Sequence, residues 1–122
     1  MKININNDLV KVTYSIDNLT LNDNFSNTTF KFFAIEYNDH VRIEMVAKAN
    51  TGVNTTAFTG MISGLPTISI AQPVLVVNTI SQDRGEVKCL YQTDGSIQLI
   101  TNANKHYLAA GDCLFIAGTV MK

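Results

Sequence analysis

Residues 28–49 read as two extended segments, the first aromatic-rich and the second alternating apolar and polar positions with a period of two, and that pattern constrains this chain more than any other feature. Phe30, Phe32 and Ala34 fall on one side of an extended segment, with Phe33, Ile35 and Tyr37 on the other. After Asn38-Asp39 the alternation resumes, with Val41, Ile43, Met45 and Ala47 on one side and Arg42 and Glu44 opposite. Strand side chains point alternately to two faces, whereas a helix repeats every ~3.6 residues and shows no such pattern. The segment therefore predicts a hairpin of strands 28–37 and 40–49 joined by Asn38-Asp39. A hairpin with one apolar face needs a second apolar layer above it, which points to a packed all-β domain.

The rest of the chain carries the same punctuation. Residues 9–16 read as a strand with Val10, Val12 and Tyr14 on one face, and the Asn- and Asp-rich stretch 17–27 reads as a loop, because those side chains bond their own backbone. A loop at 50–54, a strand near 56–62 and a Ser63-Gly-Leu-Pro66 turn follow. Pro73-Val-Leu-Val-Val77 is apolar on both faces, so it is expected at the centre of a sandwich or under another subunit. Strands 86–92 and 96–100 pair across Thr93-Asp94-Gly95, where Asp-Gly favours a tight turn. A last strand runs from Cys113 to Val120, with Leu114 and Ile116 opposite Phe115 and Ala117. Eight or nine short strands at this spacing predict an antiparallel β-sandwich or jelly-roll-like barrel. With 122 residues the chain holds one core, so residues 1–122 are read as a single β domain.

Charge limits the function. A net charge of −1 leaves no excess of Lys and Arg for a phosphate backbone, and the basic residues are scattered, so nucleic acid is not an expected partner. No apolar stretch approaches the ~20 residues of a membrane span, and Met1 to Asp8 lacks the apolar core of a signal peptide. Charged residues make up only 16% against a usual ~25%, so the polar surface rests on Asn, Thr, Ser and Gln.

No catalytic or metal motif appears. Gly60, Gly111 and Gly118 are isolated, Asp23, Asp83, Asp94 and Asp112 stand singly in turns, and Ser63 lacks the flanks of a nucleophile elbow. His40 follows Asp39 directly, and neighbours in a strand point to opposite faces, so the two are expected to make a poor acid–base pair unless the turn bends them together. His106, between Lys105 and Tyr107, reads as the start of an exposed strand. Cys89 and Cys113 match no metal or redox spacing; two core thiols are expected, with a cross-strand disulfide as the alternative. Neither an enzyme nor a cofactor is expected.

From about Phe30 onward, the order of features resembles the head domain of tail-fibre and receptor-binding proteins from phages and prophages of Gram-positive bacteria. The likeness rests on the aromatic hairpin from Lys31 to Ile43, the Gly64-Leu65-Pro66 turn, the Asp94-Gly-Ser-Ile97 hairpin and the closing strand from Leu108 to Met121. It divides the chain into N-terminal strands and an Asn-rich loop, 1–27, and a head-like region, 28–122. Val120 stands where an aromatic residue is typical of such heads. The resemblance implies a homotrimeric head at a virion tail tip, made in the bacterial cytoplasm without a signal peptide. It further implies binding of a host cell-wall saccharide and contact with other tail or baseplate proteins. Neutral donors and acceptors beside an amphipathic ring suit sugar recognition. Two clusters offer them: Tyr37, Asp39, His40 and Arg42 at one hairpin end, and Tyr91, Asp94, His106 and Tyr107 elsewhere. A structural tail subunit without ligand, or a carbohydrate-binding sandwich of a cellular protein, remains open.

Overall fold

The computed structural model describes residues 12–50, 53–54, 59–78, 88–100, 107–108 and 110–122. The chain is all-β, with no helix among these residues, and no helix is long and apolar enough to cross a membrane. Its strands are β1 (Val12–Ser15), β2 (Thr20–Leu21), β3 (Phe25–Glu36), β4 (His40–Ala49), β5 (Val53–Asn54), β6 (Thr59–Ser63), β7 (Gln72–Asn78), β8 (Lys88–Tyr91), β9 (Ile97–Ile100), β10 (Tyr107–Leu108) and β11 (Cys113–Met121). Nine of them follow one hydrogen-bonded order, β1-β3-β4-β11-β7-β8-β9-β6-β2, and β5 and β10 form a separate pair. Every pairing is antiparallel.

Strand β7 divides the order into two layers. Its last four residues pair with β11, from Leu75 opposite Ala117 to Asn78 opposite Leu114, while Gln72, Pro73 and Val74 pair with β8. A strand that changes partner along its length makes the corner of a sandwich. Pro73 fits there, because it has no N–H to donate and its ladder partner is Leu90 alone. On the vacated β11 side, the Gln72 amide takes the place of a peptide group: Nε2 donates to Met121 O at 2.7 Å, and Met121 N donates to Oε1 at 2.9 Å.

The alternation of 40–49 is realised residue by residue. Val41, Ile43, Met45, Ala47 and Ala49 are buried, while Arg42 and Lys48 are exposed. On β11, Leu114, Ile116 and Val120 point to the same interior. From the other layer come Met61, Val74, Cys89, Tyr91, Ile97 and Leu99, and all of these belong to one apolar cluster. Phe32 and Ala34 of β3 join it, as expected. Opposed apolar faces of two antiparallel sheets fit a β-sandwich.

Three expectations are corrected. The presumed loop 17–27 contains β2, which pairs with the edge strand β6, and β3 starts inside it at Phe25. The β3–β4 register shifts between Asn27 and Phe32, so this long strand carries an irregularity that period two alone does not reveal. Cys113 is half-buried on the outer row of β11, opposite Lys48, and only Cys89 is a core thiol. No disulfide joins them. Val10, Lys105 and His106 lie outside the described residues, as does Asp83.

Candidate functional site

The antiparallel ladders determine which loops meet. His40 starts β4 opposite Met121 at the end of β11; Gln72 starts β7 opposite Tyr91 at the end of β8, and Tyr91 faces Ile97 at the start of β9. The β3–β4 tip, residues 37–39, and the β8–β9 tip, residues 92–96, therefore lie at the same end of the sandwich. The β5–β10 pair falls near the opposite end, where Gly111 N donates to Ala49 O at 2.8 Å beside the start of β11. Tyr107 pairs by backbone with Asn54.

At the β3–β4 tip a backbone bond from Tyr37 N to His40 O, 2.9 Å, closes the turn. It brings the two rings into a stack, with centroids 4.4 Å apart and planes 14° from parallel. Asp39 Oδ1 lies 2.6 Å from His40 Nδ1. The turn bends the two together, which is the exception the sequence left open for this pair. Asp39 sits in the turn rather than in a strand, so strand alternation does not separate it from the following ring. Lys122 N donates to Asp39 O at 2.9 Å and steadies the tip from the β11 side.

Below the tip lies a polar plug in the end of the core. Glu36 accepts from the Tyr14 hydroxyl at 2.9 Å and pairs with Lys122 Nζ at 2.5 Å. Burial, then the hydrogen bond and charge of Glu36, push the Tyr14 phenol up. Arg42 points down the outer face to Glu44, 2.8 Å away, and Glu44 also meets Lys31 at 3.3 Å. Arg42 thus shares the strand of His40, but its guanidinium is held by a carboxylate.

Of the second predicted cluster, the side chains of Tyr91 and Asp94 are described, and each has its own partners. Tyr91 is fully buried, and its hydroxyl donates to Pro66 O at 2.6 Å. Burial first, then the charge of Glu36 and the neighbouring Tyr14, raise its phenol well above the ordinary range. A side chain with no exposed surface in this fold has nothing to offer a ligand. Asp94 is exposed at the hairpin tip and accepts from Ser96 N at 3.0 Å and Ser96 Oγ at 2.6 Å. Those bonds lower the Asp94 carboxyl and hold it ionised. Sequence reading overlooked Gln92 and Gln98, which join Asp94 and Thr93 around a shallow polar recess of about 280 Å³. The Gln92 amide donates to Gln98 Oε1 at 3.3 Å. Gln98 follows the buried Ile97, so strict alternation already placed it outward.

The two short motifs noted in the sequence are physically one unit. Leu65 N donates to Gly95 O at 3.0 Å, Ile68 N to Thr93 O at 3.3 Å, and Tyr91 reaches Pro66. Gly95 has φ +82°, and a Cβ there falls 2.0 Å from Leu65 O, so glycine is required by backbone conformation and by contact alike.

Chemically, the tip offers a ring face, a carboxylate acceptor and an imidazole. No serine, threonine or cysteine among the described residues hydrogen-bonds the His40 ring, whose contacts are Asp39 and Tyr37. No group of three or more His, Cys, Asp and Glu suited to a metal ion occurs among the described residues. Comparison with known protein families, with curated proteins and with solved structures finds no match.

Proposed function

We propose that this protein is a non-enzymatic binding head of the phage tail-tip type, which recognises a host cell-surface saccharide through the β3–β4 tip. The observation that carries the reading is the stacked Tyr37–His40 pair with Asp39 held against it. A sugar ring presents apolar C–H faces and hydroxyl edges, so a half-exposed ring beside a carboxylate meets both needs. Arg42 has a supporting role on the same strand, and Asp94 with Gln92 and Gln98 adds polar surface at the same end. The mutual docking of Gly64-Leu65-Pro66 and the Asp94–Ile97 hairpin supports the family resemblance, since it gives both motifs a common structural reason. In that family the head is a homotrimer on the virion, and the same assembly is proposed for this chain.

Retention on Gram-positive cell walls and a glycan array test the reading. Wild-type protein is expected to give a saccharide-specific signal that Tyr37→Ala and His40→Ala remove while the thermal melt is kept. No signal on any wall or glycan overturns it. A second reading, a tail or baseplate subunit that only assembles, is favoured by the apolar outer face of β11, where Phe115 is 37% exposed.

A further inference from the structure

The recess at the β8–β9 tip, lined by Gln92, Thr93, Asp94 and Gln98, holds polar groups that the fold itself does not use. Asp94 Oδ1 accepts both bonds from Ser96, from N at 3.0 Å and from Oγ at 2.6 Å. Among the described residues no other side chain donates to the second oxygen, Oδ2, and no Lys or Arg lines the recess. The cations at this end are already paired, Lys122 with Glu36 and Arg42 with Glu44. Gln92 and Gln98 share one bond of 3.3 Å, which uses one amide N–H and one carbonyl. Whichever way the two amides are turned, the pair keeps one carbonyl and one amide NH2 without a partner among the described residues. The walls are fixed by the backbone bonds of Leu65 N to Gly95 O and of Ile68 N to Thr93 O.

The recess is therefore rich in acceptors and carries a negative charge that nothing in the protein neutralises. An ionised carboxylate accepts hydrogen bonds and never donates. A hydroxyl satisfies it, but an ammonium group brings three donors together with the opposite charge, and such bonds are roughly twice as strong as neutral ones. An ionised phosphate brings neither. The recess is also close to the Tyr37–His40 stack. From His40 to Met121, from Met121 to Gln72 and from Gln72 to Tyr91 are three strand steps, at most about 14 Å at ~4.8 Å each. One short oligosaccharide spans that distance.

We infer that the Gln92–Asp94–Gln98 recess is a subsite for the ammonium group of an amino sugar, carried on the same oligosaccharide whose ring lies against Tyr37 and His40. This rests on the saccharide reading proposed above and adds the charge that the ligand bears. Asp94 receives the ammonium, the remaining carbonyl of the glutamine pair accepts a second N–H, and the remaining amide donates to a neighbouring hydroxyl. Retention on Gram-positive cell walls tests it, before and after the wall amines are capped with acetic anhydride, which leaves neutral amides. Wild-type protein and Asp94→Asn are compared, with a thermal melt of each. Asparagine keeps an oxygen for the Ser96 bonds and removes the charge. Capping is expected to weaken retention of wild-type protein about tenfold or more, the loss of one charge-assisted hydrogen bond. Asp94→Asn is expected to melt like wild-type protein and to bind native and capped walls alike. Wild-type retention that capping leaves unchanged overturns the subsite while the saccharide reading stands. A loss on capping that is equal in wild-type protein and Asp94→Asn also overturns it, because the amine is then read elsewhere. No retention on either wall overturns the saccharide reading, and the subsite with it.

Discussion

Replacing Gly95 with alanine is expected to cost far more than the same change at Gly111, although both glycines have positive φ, +82° and +94°. A non-glycine residue in the left-handed region costs about 1–2 kcal/mol, and that cost applies at both positions. At Gly111 nothing lies within 4 Å of the added Cβ, so the backbone cost is the whole effect. At Gly95 the Cβ falls 2.0 Å from Leu65 O and 2.9 Å from Leu65 C, both backbone atoms that cannot rotate away. The hairpin must lift off the Leu65–Pro66 turn, which gives up the Leu65–Gly95 and Tyr91–Pro66 hydrogen bonds at about 1 kcal/mol each. The sum is about 3–4 kcal/mol, a large part of the ~5–15 kcal/mol that holds a domain together. Unfolding entropy scales at ~2.1 cal/mol/K per residue, so for this chain each kcal/mol moves the melting temperature by about 4 °C. The expected losses are about 12–16 °C for Gly95→Ala and about 4–8 °C for Gly111→Ala, by calorimetry under matched conditions. Equal losses at the two positions refute the reasoning, because they mean that the turn and the hairpin do not touch.

Other substitutions probe separate parts of the same frame. Tyr91→Phe is expected to cost about 1–3 kcal/mol in urea unfolding, since it leaves the buried Pro66 carbonyl unsatisfied. Gln72→Ala removes the side-chain bridge to Met121 and should cost about 1–2 kcal/mol, whereas Gln72→Asn, too short to span it, should do no better. Burial pushes the Cys89 thiol up to about 12 from 9.0, so native protein should consume one equivalent of alkylating reagent near neutral pH, at Cys113, and two in denaturant. The same shift makes folding pH-dependent: the unfolded chain releases the Cys89 proton above pH 9 while the folded chain keeps it. The associated stability is therefore full below pH 9 and is lost between pH 9 and about 12, at up to ~1.4 kcal/mol per unit. Denaturant midpoints that do not fall over that range contradict the buried neutral thiol.

Much of the interior was legible because burial leaves a period in the sequence. Val41, Ile43, Met45 and Ala47 were assigned to one face by alternation alone, as were Leu114 and Ile116, and all six are core residues. The errors arise where the period is broken or too short. Thr20–Leu21 spans 2 residues, so no alternation distinguishes it from the surrounding Asn-rich turn. Cys113 looks like a core residue by type, but its odd position on β11 sends it outward with Phe115. For the candidate site the limitation was different in kind. Tyr37 follows the end of β3 and Tyr91 ends β8, so the two look alike in sequence; one belongs to a surface stack and the other lies fully buried against Pro66. Which tyrosine goes inside depends on the Leu65–Pro66 turn folding over β8, a contact between segments some 25 residues apart.

The position of the candidate site follows from the partner change in β7. Were β7 paired with β11 along its whole length, the sheet would continue past Gln72, and Met121 would be bonded to backbone rather than to a side chain. Because β7 leaves β11 at Val74, the end of β11 is held by Gln72 and by the bonds of Lys122 to Asp39 and Glu36. The Tyr37–His40 tip is thus fixed by contacts from β11 as well as by its own turn, and under the proposed function it would not have to be ordered afresh for a ligand. Ordering a mobile loop costs roughly 0.5–1.5 kcal/mol per immobilised side chain, and a tip already held avoids that cost. Recognition of a weakly bound, hydroxyl-rich ligand depends on such economies, since each neutral hydrogen bond it makes contributes only about 1 kcal/mol net. The rigidity of the corner and the chemistry of the tip are in this sense one property of the fold, with β7 as its source.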